Sequence, residues 1–175
     1  MKYKLKNLAL FAEIFGGIAI LISLIFVGFQ FKENTKATRS ATATATISTM
    51  ASWYADIGNN QQSSLLFYKF LGAPDSIPKE QRAQAIWNLH SMFLTFQSSY
   101  FLAKEGTLDV RIQESLTEVI KGVGNQPGML YYWKTRKSIF FEEFRTDVDD
   151  ILKTVDPNLE GIYQTIGEDK TQNYN

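Results

Sequence analysis

The chain holds one histidine and no cysteine among its 175 residues, which narrows the available chemistry at once. Without cysteine there is no disulfide, no thiolate nucleophile and no zinc-thiolate site, and one imidazole cannot build a multi-histidine metal centre. That imidazole, His90, shares an apolar helix face with Gln97 two turns on, and its titration near neutrality would suit acid-base work. The simpler reading is that both polar side chains satisfy buried hydrogen-bond partners. No Gly-x-Ser-x-Gly or His-Glu-x-x-His context supplies an activating neighbour, so no catalytic residue is expected. Together with Trp87, Phe93 and Trp133, the pair His90 and Gln97 forms a set that could enclose an apolar ligand, the two polar groups orienting it.

Carboxylates gather later in the chain. Glu142, Glu143, Asp147, Asp149 and Asp150 follow Lys134, Arg136 and Lys137. A metal site would use such oxygens, but without histidines, and without glutamates on several facing helices, a solvated face with local pairs such as Asp149 with Lys153 is the better expectation. Lys137 falls among apolar neighbours, where it either snorkels past aromatic stems or pairs with a buried carboxylate. The glycines at 122 and 124 match neither a Gly-x-Gly-x-x-Gly fingerprint nor a P-loop and read as a turn. No metal and no cofactor are expected. Eighteen basic and eighteen acidic residues leave the formal charge at zero, which gives no reason to expect a nucleic-acid partner.

The elements that would carry these residues begin with a long apolar segment. From Leu8 to Phe31 the only ionisable side chain is Glu13, and 24 residues at the helical rise reach about 36 Å, enough for a tilted crossing of a hydrocarbon core about 30 Å thick. A cleaved signal peptide is the rival reading, since Lys2, Lys4 and Lys6 resemble its charged start and Ala41, Ala43 and Ala45 offer small residues. The apolar run is too long for that, and Lys32, Lys36 and Arg39 intervene before any cleavage site. Those two basic clusters balance, so charge alone sets no orientation. Residues 1–39 carry +4 and residues 40–175 carry −4, which places the basic groups where anionic headgroups would attract them. Ala9, Ala12, Gly16, Ala19 and Ser23 recur at three- or four-residue intervals and share an arc of about 80°. Small residues on one face let membrane helices approach closely, so this arc is a candidate packing seam. Glu13 beside it would snorkel, pair with Lys6, or serve a proton or ion role.

Beyond the membrane segment, Ala41 to Thr46 alternate alanine and threonine. Alternation suggests a strand, but alanine is a poor strand former and no glycine or proline interrupts Lys32 to Asp56, so a helix continuing from the apolar one is expected. Gln61–Leu71 reads as a short helix. Ile77–Lys104 reads as a long one, with Ser76 as a possible N-cap and Gly106 closing it. On it Phe96, Leu89, Tyr100, Phe93, Ile86, Phe101, Leu94 and Trp87 fill about half the circumference as the expected core face, with Gln84, Asn88, Thr95 and Ser99 opposite. A further helix runs from Thr107 or Leu108 to Lys121. A last long helix opens at Pro127 and carries Leu130, Trp133, Phe140, Phe144, Val148, Ile151 and Val155 on one face, with a possible new start at Thr146.

The expected fold class is therefore all-α, a single N-terminal transmembrane helix followed by a small helical bundle. Its divisions would be a basic tail at 1–7, a membrane helix at 8–31, an Ala/Thr-rich juxtamembrane helix at 32–57, a bundle at 58–155 and a polar tail at 156–175.

Two stretches carry a resemblance. Ala12 to Ala43 holds an acidic residue, a glycine-containing apolar helix, then Gln30, Lys32, Asn34, Thr35, Lys36 and Arg39. Pro127 to Leu152 holds Gly128, Trp133, Arg136, Phe140, Phe144 and Asp149. In both, the chain resembles a group of small uncharacterised bacterial single-pass membrane proteins. The resemblance covers about a third of the chain and lends no activity. It implies a bacterial inner (cytoplasmic) membrane and, from the basic residues after the helix, a C-terminal domain on the cytoplasmic side; Lys2, Lys4 and Lys6 depart from that pattern.

The function expected first is a membrane-anchored helical interaction protein, partnered by the lipid bilayer and self-associating into a homo-oligomer or joining other membrane subunits through the seam and the Ala/Thr-rich helix. A tethered binding or sensing module for an apolar ligand comes second. An enzyme comes last, because no nucleophile, acid-base pair or ligand set stands out.

Overall fold

The computed structural model describes residues 2–157, which form six α-helices and two 3₁₀ turns with no strand among the described residues. In order they are α1 (Lys2–Gly58), α2 (Gln61–Gly72), a turn at Pro74–Ser76, α3 (Lys79–Lys104), α4 (Val110–Val123), α5 (Pro127–Arg136), a turn at Lys137–Ile139, and α6 (Glu142–Thr154). The all-α expectation holds, and so does the continuation of the apolar helix into the Ala/Thr stretch, since α1 runs unbroken through both. The chain divides into two compact units at Ala41 and Thr42. The expected polar tail from Asn158 onward lies outside the described residues.

In the first unit, every described side chain from Leu10 to Ala41 is exposed. It contains a helical stretch long and apolar enough to cross a membrane, by length and composition.

In the second unit, several helix ends have a local cause. Asn60 caps α2 by accepting from the Ser63 N–H at 3.1 Å. Asp109 does the same for α4 through the Arg111 N–H at 3.0 Å, so that helix starts at Val110, past the expected Thr107 or Leu108. Ser76 does not cap α3; it closes the preceding turn by donating its hydroxyl to the Ala73 carbonyl at 2.7 Å, and Pro78 occupies the capping position. Gly106 ends the α3 region as expected, at φ 69, a left-handed conformation that side chains resist. It lets the Thr107 and Leu108 N–H groups both reach the Leu102 carbonyl at 2.9 Å.

Helix α3 is the central element, with α2, α4, α5 and α6 around it burying Leu89, Phe93, Phe96, Tyr132, Phe144 and Val148. Its buried face is rotated from the expected one. Ala85, Met92 and Ser99 are buried, whereas Trp87, Leu94 and Phe101, the far edge of the expected apolar arc, are 71%, 47% and 39% exposed. The four helices cover one side of α3, and α1 covers part of the other, where the Trp53 indole donates to the Asn88 carbonyl at 3.0 Å. Met50 and Trp53 of α1 are buried against the bundle, and the Trp53 ring meets Phe67 edge-on at 5.4 Å.

The last expected helix is broken in two. Trp133 and Asp149 are hydrogen-bonded at 2.7 Å, yet on one continuous helix 16 residues would separate them by about 24 Å. The turn at Lys137–Ile139 makes the bond possible by folding α6 back. The break thus lies before Thr146, whose hydroxyl instead donates to the Glu142 carbonyl within α6.

Candidate functional site

The residues singled out for an apolar pocket separate into an interior, an edge and an outlier. Phe93 is fully buried, and its ring lies 5.1 Å from Tyr132, 5.3 Å from Trp133, 5.5 Å from Phe96, 5.9 Å from Phe140 and 6.5 Å from Phe144. These rings occupy the space among the helices themselves, in the offset and edge-on arrangements that aromatic quadrupoles favour. Trp133 stacks on Phe140 at 5.8 Å with planes 20° apart. Trp87 does not join them; it stands on the exposed side of α3.

His90 and Gln97 each have a partner at the margin of this cluster. The His90 Nδ1 and the Tyr132 hydroxyl are 3.0 Å apart, giving a buried phenol its hydrogen bond. Burial raises the Tyr132 pKa above its ordinary value of 10, the positive charge of Arg136 only partly opposing this, so the phenol stays protonated. Gln97 reaches from α3 to the start of α6, where its Oε1 accepts from the Phe141 N–H at 2.9 Å. The geometry gives both polar side chains the hydrogen-bonding role that their setting suggested.

A second polar group lies between α5 and α6. Asp149 accepts from the Trp133 indole, and its two oxygens take the Lys137 ammonium at 3.1 and 2.8 Å. Partial burial pushes the Asp149 carboxyl upward, but the hydrogen bonds from Lys137 and Trp133, with the charges of Lys137 and Lys153, outweigh it and hold the carboxyl below its ordinary value. Lys137 therefore pairs rather than snorkels. Lys153, expected to pair with Asp149, bonds Asp150 at 2.8 Å instead, because Asp149 is turned toward α5. Asp147, on the same helix, is raised by burial and by the nearby Asp150, against Lys104.

Gly128 belongs to this assembly through its backbone. A Cβ at that position would collide with the Phe70 carbonyl and lie 2.8 Å from the Leu71 Cα, so α5 meets α2 at a distance only glycine allows. Gly128, Trp133, Phe140, Phe144 and Asp149 are thus packing and hydrogen-bonding residues of the bundle.

In the first unit, the candidate seam residues Ala12, Gly16, Ala19 and Ser23 are exposed. A Cβ built on Gly16 meets nothing within 4 Å. The side chain of Ala9 lies outside the described residues.

A feature that sequence reasoning missed is a groove of about 490 Å³ between α1 and α3, lined by Thr42, Ala45, Thr46 and Thr49 on one side and by Ser91, Leu94, Thr95, Ser98 and Leu102 on the other. The signal was present in the heptad-like spacing of Trp87, Ser91, Leu94, Ser98 and Phe101. It is masked in the sequence because Trp87, Leu94 and Phe101 also continue the apolar arc of the core face. No family model, curated protein or solved structure matches this chain.

Proposed function

We propose that this chain is a membrane-anchored helical interaction or scaffold protein. Its α1 segment from Leu8 to Phe31 would cross the bilayer, and the bundle would present surfaces for assembly beside it. The observation that carries this reading is the exposure of fourteen large apolar side chains between Leu10 and Phe31. Burying one such side chain is worth about 1.5–3 kcal/mol. Leaving the set in water would forgo about 20–40 kcal/mol, more than the 5–15 kcal/mol net stability of a typical domain; lipid removes that cost.

Self-association through Ala12, Gly16, Ala19 and Ser23 follows from the same segment, because small side chains let two such helices approach within van der Waals contact. The resemblance described above favours a bacterial inner membrane with the bundle in the cytoplasm. Protease protection in vesicles of known sidedness tests that orientation: a digested bundle in outside-out vesicles would reverse it. Crosslinking in native membranes tests the seam. Gly16→Leu and Ala19→Leu should lower the oligomer yield about tenfold, equivalent to about 1.4 kcal/mol, and unchanged yields would remove the self-association. An apolar ligand among Phe93 and Trp133 draws no support from the packing, since neighbouring rings already surround Phe93.

A further inference from the structure

One face of the second unit lacks the charges that solvated helices carry. No Asp, Glu, Lys or Arg occurs from Thr42 to Ala55 in α1 or from Ala83 to Ala103 in α3. The outward residues of α4 and α6 differ: Arg111, Glu114 and Glu118, then Glu142, Glu143 and Asp150, are charged and exposed. The uncharged face has a definite relief. Trp87, Leu94 and Phe101, at seven-residue spacing and 71%, 47% and 39% exposed, form an apolar ridge along α3. Beside it lies the groove whose far wall is the small-residue stripe Thr42, Ala45 and Thr49 of α1. The hydroxyls are not free for a polar ligand throughout, because Thr49 donates to the Ala45 carbonyl at 2.9 Å and Thr95 to the Ser91 carbonyl at 3.3 Å, each within its own helix.

A ridge of large side chains next to a groove of small ones is self-complementary. Under a two-fold rotation the ridge of one copy falls over the groove of the other, which is the condition for an isologous interface. We infer that this α1–α3 face docks against the same face of a second copy, Leu94 of one chain seating beside Ala45 of the other. The size of the face also selects that occupant. Its length from Trp87 to Leu102 is about 24 Å, and two helices side by side make it about 18–20 Å wide, or about 400–500 Å² per copy. A stable interface between freely diffusing proteins needs about 800 Å² per partner. A face this small is filled by a partner already held close, and copies tethered in one bilayer meet at the raised effective concentration that closes the gap. The inference rests on the membrane anchoring proposed above.

The cysteine-free sequence makes the test direct. Two differently tagged full-length copies, one Ala45→Cys and one Leu94→Cys, are co-expressed and oxidised in native membranes, with Glu114→Cys replacing Leu94→Cys as the control on α4. The 45–94 disulfide should form at least tenfold more than the 45–114 one. Adding Trp87→Glu to both copies of the 45–94 pair should cut their linking by a similar factor without lowering the melting temperature, because Trp87 is 71% exposed. Equal 45–94 and 45–114 yields overturn the inference. If Gly16→Cys copies still link in that case, the membrane seam survives alone; if they do not, both fall. A band joining Leu94→Cys to a different polypeptide in place of its own copy also overturns the inference.

Discussion

Asp149 ties α6 at residue scale to α5 through the Trp133 indole and to the turn after α5 through the Lys137 ammonium. Replacing it with asparagine keeps an acceptor for Trp133 and removes the charge that holds Lys137. Charge-assisted hydrogen bonds contribute about 1.5–3 kcal/mol, and partial exposure reduces that here, so Asp149→Asn should cost about 1 kcal/mol in denaturant unfolding at neutral pH. The pH dependence has a fixed sign. Because the folded state holds the Asp149 carboxyl below its ordinary value of 3.8, its contribution is complete above that value and disappears as pH falls through the folded one. The stability difference between the parent and Asp149→Asn should therefore be constant near neutrality and shrink below about pH 4; a difference that grows with acid would refute the pairing. Gly128→Ala makes a harsher change, because the added methyl meets backbone atoms of Phe70 and Leu71 that cannot rotate away. It should destabilise by about 2–3 kcal/mol or more, read as a lowered unfolding midpoint.

At the scale of elements, α3 organises the bundle and its two faces have different tasks. Gln97 links it to α6 by accepting the Phe141 N–H, so Gln97→Leu should loosen the start of α6 at a cost of about 1 kcal/mol. Hydrogen exchange should locate the loss at Phe141 to Arg145, leaving α4 protected; uniform loss across the bundle would contradict this role. The long apolar arc on α3 was legible as a helix because its period is helical, yet the arc alone could not say which edge of it is left bare of neighbours. That direction is set by α2, α4, α5 and α6, elements distant in sequence. The break after α5 was illegible for a different reason. Lys137, Ser138 and Ile139 include no glycine or proline, and the partners that reward the bend, Phe140 on Trp133 and Asp149 on Lys137, form only once α6 has folded back.

At the scale of the whole molecule, the membrane proposal dictates how the protein should behave on extraction. The full chain should remain in the membrane pellet through alkaline carbonate and move to the supernatant with detergent. Release by carbonate alone would mean that Leu8 to Phe31 lies against protein or on a surface and does not span lipid.

The apolar period, the breaks between helices and the run from Leu8 to Phe31 were enough to indicate the helical class, the location of most helices and a segment long and apolar enough to cross a membrane. These are local properties: a helix of given polarity carries its preference for water or hydrocarbon in its own residues. Which groups His90 and Gln97 bond, which carboxylate Lys137 takes, and which edge of α3 is left bare depended on tertiary structure. Each of those outcomes is a choice among partners far apart in the chain, and only the packed bundle decides which of them come within reach.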